Sequence, residues 1–225
     1  PITGLDSARL NRFILIIALI FSVFAGIYGA SQWENLLRFV NGVSFRLTDP
    51  MFDRDIAFYV FQLPFFKQVY GFAFAMLILT LLSTAMLYLI RGAFSFIPPA
   101  TFHAAKFAQG HLFVLVALLF FLACSGFWLD LSDLLFVKRG VVYGAGYTDA
   151  TTQVWVLYLL MLLSILAGLS FLFLILRQDW RMPIIIVVGF VLVSVIGRNV
   201  YPEFIQRFKV VPNEVVLEKP YLEKN

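Results

Sequence analysis

The sequence predicts an all-α fold: a polytopic helical membrane protein of about five transmembrane helices with short interfacial helices. Composition is the first reason. Hydrophobic residues fill 61% of the 225 positions and charged residues only 13%, far from the near-half apolar and quarter charged balance of soluble domains. Patterning is the second. The apolar residues gather in unbroken runs close to the roughly twenty residues that a helix needs to cross a bilayer core of about 30 Å.

The first run is Phe13 to Ala30, entered past Arg9 and Arg12. The second, Val69 to Ile90, stops at Arg91; the third, Leu112 to Leu129, stops at Asp130; the fourth, Val154 to Leu176, stops at Arg177. The fifth, Ile184 to Gly197, reaches only about 21 Å unless it is counted from Pro183 to Tyr201, with Arg198 snorkelling to the headgroups. The four tryptophans support these limits. Trp33, Trp128, Trp155 and Trp180 each fall at or just past a span end, where an indole ring is half buried and its N–H stays wet. Trp33, Trp128 and Trp155 are expected at one interface and Trp180 at the other.

Short basic loops set the expected orientation. Arg9 and Arg12, Arg91 and Lys106, and Arg177 and Arg181 share one side, which should be cytoplasmic. The opposite loops, 31–68 and 130–153, balance their basic residues with acidic ones. The chain is thus expected in the plasma membrane with its N-terminal end cytoplasmic. The segment 202–225, broken by Pro202, Pro212 and Pro220, is expected outside as an extended connector. In loop 31–68, Trp33, Leu36, Leu37 and Val40 recur at helical spacing, so a short amphipathic helix should lie on the membrane and end at Asn41 and Gly42. A second surface helix is expected over residues 100–109, after Pro98 and Pro99.

No constellation for chemistry survives inspection. Asp49, Asp53 and Asp55 lack the spacing, central glycine and terminal glutamate of a calcium loop. They read as a solvated turn with Arg54 pairing locally. Gly-Ala-Gly-Tyr-Thr-Asp at 144–149 lacks the strand, lysine and helix of a phosphate loop. It reads as a turn capping the fourth span, with Thr148 or Asp149 near the helix N-terminus. His103 and His111 would stand about 12 Å apart on one helix, too far for a shared metal. Cys124, the single cysteine, reads as a packing residue. No metal, cofactor or catalytic set is expected, and the dispersed excess charge of +4 disfavours nucleic acid as a partner. Ionisable groups are scarce inside the spans, which lowers a coupled transporter reading.

Three strings resemble the bacterial Uncharacterised Protein Family 0182. They are Asp-Pro-Met-Phe-Asp-Arg-Asp-Ile-Ala-Phe-Tyr-Val-Phe-Gln-Leu-Pro-Phe at 49–65, Gly-Ala-Gly-Tyr-Thr-Asp at 144–149, and a block of Val211, Pro212, Asn213, Glu214, Glu218, Pro220, Tyr221 and Asn225. Together they cover the chain from about Gln32 to its end, with departures at Ala150 and Leu222, where Val and Ile are expected. The resemblance implies a seven-span protein with a large extracytoplasmic domain after the last span, of which this chain matches the last five spans. It singles out Asp49, Asp53, Asp55, Tyr147, Thr148, Asp149, Asn213 and Glu214 as external-face packing or interaction residues. The implied partners are membrane lipids, the preceding spans and that domain. The leading functional reading is therefore a module that anchors and orients an extracytoplasmic domain. The alternatives are a transporter or lipid-handling protein, and the membrane part of an envelope enzyme.

Overall fold

The computed structural model describes residues 7–97, 101–139, 142–177 and 181–222. The principal elements are α1 (Ser7–Ser31), α2 (Trp33–Val40), α3 (Leu63–Ile90), β1 (Phe94–Ile97), β2 (Thr101–Ala104), α4 (Lys106–Asp133), β3 (Lys138–Arg139), β4 (Val142–Tyr143), α5 (Val154–Leu174), α6 (Arg181–Val195), α7 (Tyr201–Ile205) and α8 (Glu214–Leu222). Five helical stretches among the described residues are long and apolar enough to cross a membrane: Ile14–Ser31, Phe58–Ile90, Lys106–Phe136, Asp149–Leu174 and Arg181–Tyr221. The protein is an all-α polytopic membrane protein, and among the described residues its strands form only two short hairpins.

α4 is the central element. Phe113, Ala117 and Phe120 meet Ala167, Phe171 and Leu174 of α5, with Ile186 and Phe190 of α6 packed on them. About two turns further, Phe127, Leu131 and Leu134 meet Leu157 and Leu160. On its other side, Leu129 packs with Tyr59 and Leu63 at the start of the α3 stretch. Lipid tails are as apolar as these side chains, so close approach rather than escape from water holds such helices together. Small residues mark the approach. A Cβ added to Gly168 would lie 2.7 Å from Phe121 Cε1, and one added to Gly126 would run into the Tyr70 phenol. By contrast α1 touches the bundle lightly, through Tyr28 stacked on Phe72 at 6.1 Å.

Two expectations are corrected. Residues 100–109 do not form one surface helix. β1 and β2 pair antiparallel from Phe94↔Ala104 to Ile97↔Thr101, and α4 begins at Lys106. Proline forces the residue before it out of the α region, which favours the extended conformation of Ile97 at the end of β1. His103 therefore lies on a strand and His111 on a helix.

The second correction concerns 202–225, which is helical through residue 222 rather than extended. Pro202 and Pro212 follow widened π turns at Ile196–Val200 and Gln206–Val210, whereas Pro220 lies inside α8. Tyr201 N–H bonds Ile196 O and Val211 N–H bonds Gln206 O, each just before a proline. A third π turn, Phe58–Gln62, stands in the same relation to Pro64. The added residue gives the ring room that a regular turn would deny it.

Replacing Gly168 with Ala should destabilise the bundle by about 1–3 kcal/mol, because Phe121 has to move out of a filled interface. Gly189→Ala, where an added Cβ meets nothing within 4 Å, should be neutral. Chemical unfolding in detergent, followed by circular dichroism, checks the difference.

Candidate functional site

Asp49 and Asp55 are the centres of the loop that enters α3. The carboxylate of Asp49, only 7% exposed, accepts the N–H groups of Met51 at 2.9 Å and Phe52 at 2.6 Å on Oδ1. Its Oδ2 accepts Arg54 N–H at 2.9 Å and the Tyr59 hydroxyl at 2.8 Å. Burial pushes this carboxyl upward, but its hydrogen bonds with Phe52, Arg54, Tyr59 and Met51 outweigh that and hold it below the usual range. Asp55 collects the Ser44 hydroxyl, the N–H groups of Phe45 and Arg46, and that of Ala57 at 2.8 Å. The Ser44 bond leads in lowering its pKa.

This loop is the solvated turn that the sequence implies at Asp53, but not at Asp49. Asp49 is buried, and the Arg54 guanidinium lies over the rings of Phe58 and Trp128 at 5.0 and 5.2 Å. Asp53 adopts φ +55°, a turn position and not part of the hydrogen-bonded set. With their oxygens committed to backbone amides, Asp49 and Asp55 do not converge on a cation. Among the described residues no group of three His, Cys, Asp or Glu residues is placed to hold a metal.

The second centre joins the loop before α5 to the C-terminal helix. Gly146 acts as the N-cap: its carbonyl accepts Ala150 N–H at 3.0 Å, and its own N–H donates to Asp149 Oδ2 at 3.0 Å. That is the backward half of a capping box, with Asp149 reaching back from the third helical position to the N-cap N–H; Gly146 has no side chain to complete the reciprocal bond. Thr148 does not cap. It is fully buried and donates its hydroxyl to Gln206 Oε1.

Tyr147 is the hub. Its N–H donates to Glu218 Oε2 at 2.9 Å, its ring meets Tyr221 edge-on at 6.0 Å, and Lys209 Nζ stands 5.2 Å from the ring centre. Val210 is completely buried beside this seam, and Glu218 Oε1 is a buried oxygen without a hydrogen-bond partner among the described residues. Gly146 is required by closeness, since a Cβ there would sit 2.8 Å from Glu218 Oε2.

Ion pairs tie the same end of the bundle. Lys67 of α3 bonds Asp133 of α4, and Arg198 Nη2 bonds Asp130 Oδ2 at 2.9 Å while lying over the Phe127 ring. Arg198 thus pairs with α4 rather than simply snorkelling.

The other expected residues are spread out. Asn213 closes a 3-10 turn, Glu214 opens α8, and both are exposed. Trp33 and Trp155 point outward at 62% and 71% exposure, whereas Trp128 is packed against Phe58 and Phe66. Trp180 lies outside the described residues. Sequence reading missed Tyr59, Lys67, Gln206 and Lys209 as partners, because their contacts join segments remote along the chain or turn on side-chain direction.

The sequence profile of the Uncharacterised protein family (UPF0182) matches residues 3–225. A UPF0182 protein of Trichlorobacter lovleyi is 37% identical over 211 residues, covering 94% of this chain and 24% of that protein. Relatives in Geobacter sp. strain M21 and Frankia alni are 35% and 34% identical, covering 98% and 94% of this chain and 25% and 21% of theirs. The chain therefore spans about a quarter of the length of the relatives it matches. No solved structure matches it.

Asp49→Ala should cost about 3 kcal/mol, since it strands buried amides and a phenol. The pH profile has a defined sign. A carboxyl whose folded pKa is lowered adds stability above its unfolded value of about 3.9 and loses it as pH falls through the lower folded value. Unfolding midpoints of the parent and Asp49→Asn should therefore converge in acid and separate toward neutrality. At the second centre, Gly146→Val and Glu218→Ala should each speed amide exchange in residues 206–221 by about tenfold and leave 113–120 unchanged.

Proposed function

The chain belongs to the Uncharacterised protein family (UPF0182), and from that premise we propose that it is the membrane module that anchors and orients a large extracytoplasmic domain of a bacterial envelope protein. The observation that carries this reading is the seam between loop 144–149 and the C-terminal helix. Tyr147 and Thr148 grip Glu218 and Gln206, so the helix from Arg181 to Tyr221 continues past the bilayer thickness as a supported rod. A mere tether would need no such support. The relatives are about four times as long as this chain, and they therefore hold sequence that such a rod could orient.

The side is argued from charge. Arg91 and Lys106 stand with the loop between α3 and α4, and Arg177 and Arg181 with the loop between α5 and α6. By the positive-inside rule those loops are cytoplasmic, and the opposite end of the bundle faces outward. That end carries Asp49, Tyr147 and Glu218.

The test is labelling of a cysteine at the exposed position 213. Asn213→Cys in a Cys124→Ala background should react with a membrane-impermeant maleimide added to intact cells. Reaction only after permeabilisation would place the seam in the cytoplasm and end the anchoring proposal.

A further inference from the structure

We infer that α2 and the following stretch, Val43 to Leu47, form a collar that inserts into the headgroup and upper-acyl layer of the bilayer and fixes the depth of α3. The inference is independent of the anchoring proposal. It rests on how the eight residues of α2 divide.

At 100° per residue, α2 falls into three sectors about 120° apart. One sector docks on the protein: Phe39 stacks on Phe65 at 4.5 Å and meets Phe66 at 5.6 Å, and Asn35 Nδ2 donates to Gln68 Oε1 at 3.3 Å. The second is ionic, with Arg38 Nη2 on Glu34 Oε1 at 2.5 Å, both exposed. The third holds Trp33, Leu36, Leu37 and Val40, exposed by 62%, 49%, 49% and 68%. A helix whose ionic sector is already paired and whose apolar sector is largely exposed fits a water–lipid boundary.

Continuity identifies the occupant. α2 starts directly after the α1 span, whose Phe24 and Ile27 are exposed for lipid, so its apolar sector extends the lipid-facing belt at the bilayer edge. The apolar surface then runs on through Val43, Phe45 and Leu47, which are also exposed. That stretch is not free to retract. Asp55 holds Ser44, Phe45 and Arg46, and Ile56 N–H bonds Leu47 O at 2.8 Å. Docking through Phe39 and Asn35 makes collar and α3 one unit, so the depth of one sets the depth of the other.

Spin labels test this in the protein reconstituted into phosphatidylcholine and phosphatidylglycerol vesicles. Labels at Val40→Cys and Val43→Cys, each with Cys124→Ala, should collide with oxygen several-fold more readily than with a water-soluble nickel chelate. A label at Glu34→Cys should show the reverse preference. Nickel preference at Val40 and Val43 would leave the collar in water. Suppressed collision with both agents would mean that protein covers it, and either result overturns the inference.

Discussion

In a bilayer an apolar side chain gains little by leaving lipid for another apolar side chain, so the bundle depends on where helices can come close enough to exchange dispersion contacts. α4 is where they do. Gly126 admits Tyr70 from α3, and Gly168 of α5 admits Phe121 from α4. Ala117, Ala167 and Ser164 keep the α4–α5 interface thin. α1 and α6 have few such contacts and present most of their apolar side chains outward. Close approach at particular small residues, not apolarity, thus distinguishes the core spans: Gly26 and Gly29 of α1 and Gly189 of α6 have no neighbour within 4 Å of an added Cβ.

The motif-bearing end of the bundle obeys a different rule, because its chain is no longer one continuous helix and every buried amide needs a partner. Carboxylates supply most of them. Asp49 gathers three amides, Asp55 three more, and Asp149 and Glu218 one each among the described bonds. Of the acidic residues that look like a cation site in one dimension, Asp49 is in three a buried anion and Asp55 a more open one, each coordinated by the backbone itself. The ion pairs Lys67–Asp133 and Arg198–Asp130 lock that end to α3 and to the continuation of α6.

This division explains what the sequence made legible. Span positions were readable because a length of uncharged chain is set by bilayer thickness, a constraint that needs no tertiary knowledge. The burial of Asp49 was not, since Asp-Pro reads equally as an exposed turn. Nor was the grip of Tyr147 on Glu218, because a hydrogen bond between residues 71 apart in sequence leaves no local trace. The β1–β2 hairpin did leave one: Phe-Ser-Phe-Ile and Thr-Phe-His-Ala flank a Pro-Pro pair, a strand–turn–strand signal that helical periodicity in the neighbouring apolar runs obscured.

The C-terminal prolines were the most misleading signal, and the reason is geometric. Proline breaks an α-helix because its ring strikes the carbonyl four residues back and its nitrogen has no proton to offer. A π turn immediately upstream changes the first condition, and a fresh helical turn starting at the proline satisfies the second, since an N–H there has no intrahelical partner to lose. Pro64, Pro202 and Pro212 all occupy this arrangement. Two of them let the helix that begins at Arg181 run on beyond Val195 while rotating its faces by part of a turn at each widened step. The helix so continued carries Gln206 and Glu218 to the side that meets Thr148 and Tyr147, with Val210 fully buried between them in sequence. Pro202 and Pro212 therefore do not end the helix; each sits where a widened turn has made room for its ring.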